Sequence, residues 1–513
     1  MKRVPSGIVP IIAVDRKAAK ALHRQIYDAY REAIVERKLR SGQRVPSSRS
    51  LAIELGVSRF PVLNAYAQLL AEGYFESRVG AGTTVSSSLP DSPMPGKPIR
   101  ARPPSNSTGN RPVSRRSSLL PRLDPAPWLR GWGAFGVGQV AFDEFPLQVW
   151  SSLVARHCRK MGAKSFQYGD QMGSGTFRET IASYLRTARS LQCEADQIMI
   201  VSGSQQALEL STRVLLDPGS HVWVEDPGYL LARDVLTLAG CRLVAVPVDN
   251  EGLDVTWGIK RCHKARAALV TPSHQFPLGV TMSASRRLQL LDWAQKYGSW
   301  IIEDDYDSEY RYESQPIASL QGLDANARVI YIGTFSKVLT PSLRLGYIVI
   351  PSDLVDRFIA VRRAMDICPP SFYQEVVADF IGEGHFSRHN RRMRVLYRER
   401  RSALVASIRK ELGAMVEILG SEAGMHLTVA LPDGSRDVEI AERASRQNLW
   451  TWPLSRCYVG EKPRQGFVLG YGSTAIANIP GSVRTLRDLL QSKGNPKKDN
   501  LRNHGRRGFR GRL

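Results

Sequence analysis

The central part of the chain alternates short apolar runs with stretches of helical spacing. The runs are rich in Val, Ile and Leu and lie at residues 198–202, 221–226, 242–248, 267–272, 299–304 and 328–333. Short runs that are apolar at nearly every position, separated by helical segments, are typical of strands buried on both faces. Residues 124–490 are therefore predicted to form an α/β domain whose mostly parallel sheet is covered by helices.

Residues 18–86 show a different pattern, which begins with a stretch of helical spacing. Two further short helices are indicated, one beginning after Ser47 or Ser48 and one after Ser58, because serine is a favoured helix N-cap. Gly56 between them permits a sharp bend. Two short capped helices joined by a glycine turn predict a helix-turn-helix.

In a helix-turn-helix the second helix enters the major groove with its N-terminus first, which places Ser58 and Arg59 at the DNA. Arg49 is then expected to reach a phosphate or a guanine edge. The glycine-rich stretch 73–85 predicts a hairpin wing, with Gly82 close to the DNA backbone. The same pattern also fits a small helical cap or a dimerisation module, and the spacing alone leaves that alternative open.

Charge is concentrated at the two ends of the chain. Residues 1–130 contain 22 Lys/Arg and 9 Asp/Glu, a net of +13, and residues 493–513 contain 8 and 1, a net of +7. The middle is close to neutral, at +3 of the total +23. Positive charge concentrated at both ends of the chain predicts a polyanion as the binding partner. The basic tail, 491–513, fits a solvated, disordered extension equally well. Segment 87–123 is rich in Pro, Ser, Arg and Gly and is predicted to be a flexible linker.

Length and composition limit the class of protein. A chain of 513 residues predicts two or three domains. Its six cysteines are scattered without a Cys-x-x-Cys pair, which fits a reduced, cytoplasmic compartment with neither disulfides nor a zinc site. No apolar run approaches the ~18 residues that span a bilayer. We therefore expect no metal and no membrane association.

The clearest candidate for chemistry is Lys337, which follows the β-branched run 328–333 in a turn containing hydroxyl groups. Arg344 lies seven positions later. A lysine amine forms Schiff bases with aldehydes, and an arginine can hold a phosphate through two parallel hydrogen bonds. This pair suits an aldehyde cofactor that carries a phosphate.

Other candidates follow the ends of the predicted strands. Asp304, with Asp305 as the alternative, could keep a pyridine nitrogen protonated, while an acidic strand end also fits a Mg²⁺ site or a helix cap. A helix start at Ser204 and Gln205 offers backbone N–H groups to a phosphate, although many α/β proteins use such turns only for packing. The aromatic candidates are equally compatible with cofactor contact and with ordinary packing: Tyr168, Tyr229 and Tyr306.

Two regions resemble known families. Residues 18–86 resemble the winged-helix head of GntR-family regulators through the Pro-Ser-x-Arg opening at 46–49 and the Leu-Gly-Val-Ser-Arg turn at 55–59. Phe60-Pro61, after Arg59, departs from the family, which usually has polar and β-branched residues there. Residues 140–490 resemble the fold type I aminotransferases that bind pyridoxal phosphate, which implies a smaller C-terminal α+β subdomain as well.

The aminotransferase resemblance assigns roles to single residues. Lys337 corresponds to the lysine that forms the Schiff base, Asp304 to the partner of the pyridine nitrogen, and Tyr306 to the residue bonding the ring hydroxyl. Arg464 aligns with the arginine that holds a substrate carboxylate. The resemblance further implies ring stacking by Tyr229 and phosphate contacts by Arg344, Thr334, Ser204 and Gln205, with Tyr168 reaching the phosphate of a neighbouring subunit in a homodimer.

Residues 271–279 differ from the classical aminotransferases, which have the sequence Asn-Pro-x-Gly at the corresponding position. Their Ser-His-Gln-Phe-Pro sequence is similar to the MocR (GabR-like) subfamily, in which a GntR head is fused to an aminotransferase-like sensor. This resemblance implies a regulator that binds double-stranded operator DNA and responds to an amino compound or to pyridoxal phosphate, with weak transaminase activity at most. The alternatives are a working aminotransferase with an accessory basic head, and a DNA-binding protein whose second domain is a scaffold without cofactor.

Overall fold

A computed structural model describes residues 12–78, 82–88, 113–120, 133–312, 318–420, 422–460 and 463–492. The chain divides into two compact units, residues 1–112 and 113–513, and the division falls within the predicted linker. Most of that linker, 87–123, and nearly all of the predicted tail, 491–513, lie outside the described residues. Within the described ranges, no helix has the length and apolar character needed to cross a membrane.

The first unit is a winged helix-turn-helix, as predicted. Three helices are followed by an antiparallel hairpin in which Phe75 pairs with Val85 and Arg78 with Gly82. The elements are α1 (Leu22–Val35), α2 (Ser48–Glu54), α3 (Arg59–Ala71), β1 (Phe75–Arg78) and β2 (Gly82–Val85).

Local sequence explains the helix boundaries of this unit. The Ser47 hydroxyl oxygen accepts a hydrogen bond from the Ser50 backbone N–H at 3.1 Å and so caps α2. Ser58 occupies the N-cap position of α3 without a side-chain hydrogen bond. Pro61 lies in the first turn of α3, where its missing N–H costs nothing. Gly56, in the turn between α2 and α3, adopts a φ of +61° that favours glycine.

The second unit contains an eight-stranded sheet in the order β3-β10-β9-β8-β7-β4-β5-β6. Strands β5, β4, β7, β8 and β9 are parallel neighbours, whereas β10 and β6 pair antiparallel. The strands are β3 (Ile198–Val201), β4 (His221–Asp226), β5 (Arg242–Asp249), β6 (Gly252–Leu253), β7 (Ala267–Val270), β8 (Trp300–Asp305), β9 (Val329–Thr334) and β10 (Gly346–Val349).

Helices cover both faces of this sheet. In β4, Val222 and Val224 pack in one apolar cluster, whereas Trp223 points to the other face and stacks on Trp293 at 3.9 Å between ring centroids. Apolar residues on both faces explain the continuous apolar runs in the sequence. The helices of this part are α4 (Leu147–Lys160), α5 (Gly175–Arg189), α6 (Ser204–Leu215), α7 (Leu230–Leu238), α8 (Val255–Cys262), α9 (Ala284–Tyr297), α10 (Leu320–Leu323) and α11 (Val355–Met365).

The C-terminal part adds a smaller antiparallel sheet in the order β11-β12-β14-β13. It shares an apolar core with the long helix α13 and with α15, so the predicted C-terminal α+β subdomain is confirmed. Its elements are α12 (Phe372–Gly382), α13 (His385–Glu411), β11 (Glu417–Leu419), β12 (His426–Ala430), α14 (Asp437–Ser445), β13 (Trp452–Pro453), β14 (Gly466–Gly470) and α15 (Ile479–Gln491).

The direction of the strands decides where the polar side chains meet. Strands β3, β4, β8 and β9 run the same way, so their carboxyl ends share one edge of the sheet. Ligands of open α/β sheets bind outside this edge. The ends are Val201, Asp226, Asp305 and Thr334.

Candidate functional site

A cavity of about 640 Å³ opens at this edge of the sheet. It collects residues that are far apart in the chain, because they lie at or just beyond the carboxyl ends of several strands or at the start of the helix that follows. Eight of the predicted site residues line it: Ser204, Gln205, Tyr229, Asp304, Tyr306, Thr334, Lys337 and Arg344.

Lys337 lies three residues beyond the end of β9, and its Nζ donates a hydrogen bond of 3.3 Å to the Gly138 carbonyl oxygen. Gly138 has a φ of +74°, and a Cβ added there would lie 2.3 Å from that Nζ. Burial lowers the pKa of the Lys337 ammonium, while Asp307 and Asp304 act to raise it. A lowered pKa favours the neutral amine, which is the form that attacks an aldehyde.

Asp304 and Asp305 are adjacent in β8 but have opposite environments. Asp305 Oδ2 accepts from Arg189 Nη2 at 2.5 Å and from the Tyr331 hydroxyl at 2.5 Å, on the face away from the cavity. Asp304 Oδ1 is buried and has no partner. Burial, and then repulsion from Asp305, raises the pKa of Asp304 to about 7. Of the two carboxylates, only Asp304 is available to a ligand in the cavity.

One end of the cavity suits an anion. The N-terminus of α6 begins at Ser204, after Gly203 with a φ of +97°. A Cβ built at Gly203 would lie 3.4 Å from an Arg344 guanidinium nitrogen, so the Arg344 guanidinium lies beside this turn. A helix N-terminus beside an arginine is a favourable site for phosphate. The Gln205 side chain donates to the Leu231 carbonyl oxygen at 2.8 Å, which leaves its backbone N–H as the group for a ligand.

Three residues that the sequence analysis did not assign stand beside Tyr306. The Tyr306 hydroxyl donates to the His274 carbonyl oxygen at 2.9 Å, and His274 Nδ1 lies 3.0 Å from Asp307. His426, from β12, contacts the His274 ring at 4.7 Å between centroids. Each of these three offers a metal-ligating atom, all within 4.8 Å of one another, but Asp307 already engages one ring nitrogen of His274.

Sequence reasoning missed this group for two reasons. Asp307 belongs to the acidic stretch after β8, where its neighbours drew attention first. His426 lies more than a hundred residues further along the chain, in a strand whose apolar pattern predicts only packing. Burial lowers the pKa of His426 to about 3, so this imidazole is neutral near pH 7.

Two predicted site residues do not line the cavity. Arg464 is half-exposed and its Nη2 forms an ion pair with Glu417 of β11 at 2.5 Å, so the structure does not bring its guanidinium to the site. Tyr168 is 82% exposed and lies away from the cavity of its own chain.

The DNA-contact residues predicted in the head are exposed. Arg49, Ser58 and Arg59 all lie at the N-terminal ends of α2 and α3, and Arg59 Nε donates to the Ser48 hydroxyl at 3.2 Å. In the wing, Gly82 has a φ of +88°, and a Cβ there would meet the Arg44 guanidinium at 2.9 Å. The glycine therefore lets a basic side chain lie against the wing.

Comparison with known proteins agrees with both units. A model of the gntR family of bacterial regulatory proteins matches residues 22–85, and a model of aminotransferase class I and II matches residues 132–463. The probable rhizopine catabolism regulatory protein MocR of Rhizobium meliloti is 38% identical over 94% of this chain and 97% of its own. The pyridoxine biosynthesis transcriptional regulator PdxR of Corynebacterium glutamicum is 32% identical over 90% of this chain and 94% of its own.

The solved structures agree with the fold of the second unit. Pyrococcus horikoshii kynurenine aminotransferase, in complex with PMP, superimposes with a TM-score of 0.69 at 28% identity, covering 75% of this chain and 98% of its own. An aminotransferase class I and II domain implies pyridoxal phosphate, and a GntR head implies DNA binding, as predicted. The two regulators match over nearly the whole chain, which favours a regulator over an enzyme with an accessory head. The chain belongs to the MocR type of GntR-family regulators, in which a winged helix-turn-helix head precedes an aminotransferase-like domain.

Proposed function

We propose that this regulator senses an amino compound, or pyridoxal phosphate itself, through a Schiff base in its aminotransferase-like domain and thereby controls the binding of its head to operator DNA. The observation that carries the proposal is a single cavity containing both the Lys337 amine and an Asp304 oxygen without a partner. A buried carboxylate oxygen without a partner is costly and calls for a ligand with a donor at that point.

The residues of the cavity fit the cofactor that the family implies. Arg344, with the N-terminus of α6, would hold the phosphate, and Asp304 would accept from the protonated ring nitrogen. Lys337 would carry the aldehyde carbon, and Tyr229 lies where an aromatic side chain could face the ring. When bound, pyridoxal phosphate supplies an aldehyde that condenses with amines and a ring that withdraws electrons.

The chain's own residues prepare this site. Burial favours the neutral Lys337 amine, and Gly138 leaves room for its Nζ. Arg189 forms an ion pair with Asp305 on one face of β8, and the alternation of side chains along the strand turns Asp304 to the other face, towards the cavity. Tyr306, bonded to the His274 carbonyl oxygen, would contact the ring hydroxyl.

An effector can shift the regulator only if it binds two conformations with different affinity. An external amine that took the place of the Lys337 amine would change which side chains contact the cofactor, and it would therefore supply such a difference. We further propose a cytoplasmic homodimer in which Tyr168, exposed in its own subunit, reaches the phosphate of its neighbour. The proposed boundaries are a head at 18–86, a linker at 87–123, a sensor at 124–490 and a basic tail at 491–513.

The proposal is tested with full-length wild type, Lys337→Ala and the control Lys296→Ala, which removes an exposed lysine of α9. Wild type and the control should show the visible absorbance of bound cofactor, and Lys337→Ala should lose it. Each protein is then tested for selection of a DNA sequence and for turnover with an amino donor and an oxo-acid acceptor.

The outcomes separate the candidate functions. Sequence-selective DNA binding with slow or no turnover supports a sensor. Turnover at ordinary enzyme rates without DNA selectivity would indicate an aminotransferase. Wild type that never acquires cofactor absorbance would leave only a structural scaffold.

A further inference from the structure

The face of α3 that points away from the core of the head carries mostly apolar side chains. Phe60 lies at its middle in the first turn, and the buried residues Val62 and Leu69 lie on the opposite side of the helix. Arg59 is the one charged residue on this face. The exposed residues of α3 are Arg59, Phe60, Leu63, Asn64, Ala67 and Ala71.

The core of the head forms without Phe60. The phenyl ring is 70% exposed, and Leu63, one turn further along α3, is exposed as well. Among the described residues of the head, 12–78 and 82–88, the apolar cluster includes neither of them. The aromatic rings of that cluster pack edge-to-face on one another, with centroids 5.2 to 5.6 Å apart: Tyr30, Tyr66 and Phe75. Phe60 therefore does not stabilise the fold, and its ring is free to contact whatever α3 binds.

Positive side chains flank this ring. Arg59 Nε donates to the Ser48 hydroxyl at 3.2 Å, which holds the arginine beside the start of α2, where Arg49 is also exposed. Residues 1–130 carry a net charge of +13. Two arginines beside an apolar ring fit a partner that has phosphates around an apolar group. A second copy of the same face fits less well, because it would bring like charges together.

The DNA major groove offers such an apolar group. Thymine displays its C5-methyl there, and phenylalanine is one of the side chains that pack on it. A GntR head implies DNA binding, and a helix-turn-helix inserts the N-terminal end of its second helix into this groove. Phe60 lies in the first turn of that helix, at a position where the related regulators usually have a polar or β-branched residue.

We infer that Phe60 is a specificity-determining residue that reads a thymine of the operator through its C5-methyl group. The phenyl ring packs on the methyl, and Leu63 shields the contact from water. Because a phenyl ring makes no hydrogen bond to a base edge, the preference at this position comes from apolar contact, and cytosine, which lacks the methyl, is disfavoured. The inference rests on the proposed function, since it requires the head to bind operator DNA.

The test uses full-length protein and a DNA fragment that the protein selects from a random pool. Each thymine is replaced singly by deoxyuridine, which removes the C5-methyl and keeps every hydrogen-bonding group. Wild type should bind at least one substituted fragment about fourfold more weakly, as expected for the loss of one buried methyl group. In Phe60→Ala the same replacement should change the affinity by less than about 1.5-fold, because the partner of the methyl is gone.

Two controls separate base reading from other roles of an exposed apolar residue. Ile53→Ala removes a side chain of α2 that is 82% exposed and should leave the effect of the methyl as in wild type. Phe60→Ala removes no charge, so it should bind random-sequence DNA as wild type does, with the same slope of log affinity against log salt.

The outcomes distinguish the inference from the proposed function. If no thymine methyl affects wild type, or if its effect is the same in Phe60→Ala, the inference is overturned and the proposed sensing stands. A loss of affinity for all DNA in Phe60→Ala, with the methyl effect intact, would also overturn it and place Phe60 in a protein–protein contact. If the protein selects no DNA sequence, both the inference and the proposed function fail.

Discussion

The adjacent residues Asp304 and Asp305 should respond to the same substitution with opposite changes in stability. Asp304 has a carboxyl pKa raised from 3.8 to about 7, and one pKa unit corresponds to ~1.4 kcal/mol. In the cofactor-free protein its ionisation therefore opposes folding, by an order of magnitude of about 4 kcal/mol at pH 8. Asp304→Asn removes that cost and should stabilise the sensor domain.

The pH dependence follows from the sign of the shift. A folded-state pKa above the unfolded value means that the folded protein binds more protons between pH 3.8 and about 7, so stability falls as pH rises through this window. The gain from Asp304→Asn should thus be largest at pH 8 and shrink by about 1.4 kcal/mol per pH unit from 7 towards 5. Asp305→Asn should instead destabilise by about 3 kcal/mol or more, because it breaks the buried ion pair between Asp305 and Arg189, whose side chain is only 3% exposed.

The assay is urea unfolding of full-length cofactor-free protein, followed by tryptophan fluorescence. All nine tryptophans lie at position 128 or beyond, so the signal reports on the second unit and not on the head. A gain for Asp304→Asn that does not change with pH, or a loss as large as that of Asp305→Asn, would refute the assignment of the two carboxylates to opposite faces of β8.

Three further substitutions test other parts of the molecule. Arg344→Gln should weaken binding of pyridoxal phosphate about 30- to 160-fold, from the loss of a charge-assisted hydrogen bond of ~2–3 kcal/mol, and leave binding of unphosphorylated pyridoxal nearly unchanged. A similar loss for both ligands in equilibrium dialysis would contradict the phosphate role. Gly138→Ala should reduce cofactor absorbance, because a φ of +74° strains any residue with a Cβ and this Cβ would displace Lys337 Nζ from its place beside residue 138. Gly169→Ala, with open space around it, should leave the absorbance unchanged. Arg59→Ala should weaken operator binding and, if Arg59 contacts a phosphate, lower the slope of log affinity against log salt by about 1. As the control, Arg24→Ala removes an arginine of α1 that pairs with Asp28 and should change neither quantity. Equal effects of the two variants in fluorescence anisotropy would show that the head docks differently.

The parts of the fold and site that could be predicted are those encoded locally. Continuous apolar runs predict the strands and place Lys337 and Asp304 at or just after the ends of two of them. The carboxyl ends of parallel strands share one edge, which is why these two residues line the same cavity. Alternation along β8 puts Asp304 and Asp305 on opposite faces of the strand, but it does not show which face carries the cavity. That depends on contacts with other elements, such as the ion pair between Asp305 and Arg189 of α5.

The parts that could not be predicted depend on contacts between distant segments. The direction of the Arg464 side chain is set by Glu417 of the neighbouring antiparallel sheet, and no local pattern reveals that pairing. His426 and Trp452 enter the cavity because the C-terminal sheet packs beside residues 271–279. An apolar strand pattern predicts burial of such residues, but not the cavity that they face.

The most direct test of the central claim is the dissociation constant for a DNA fragment selected by the protein from a random pool. It is measured for wild type and Lys337→Ala in three states: cofactor-free, cofactor-loaded, and cofactor-loaded in the presence of candidate amines and amino acids. We predict that at least one ligand state changes the DNA affinity of wild type by about fivefold or more, a coupling of ~1 kcal/mol, and that Lys337→Ala shows no such change. The same DNA affinity in every state of wild type, or an equal response in Lys337→Ala, would contradict it.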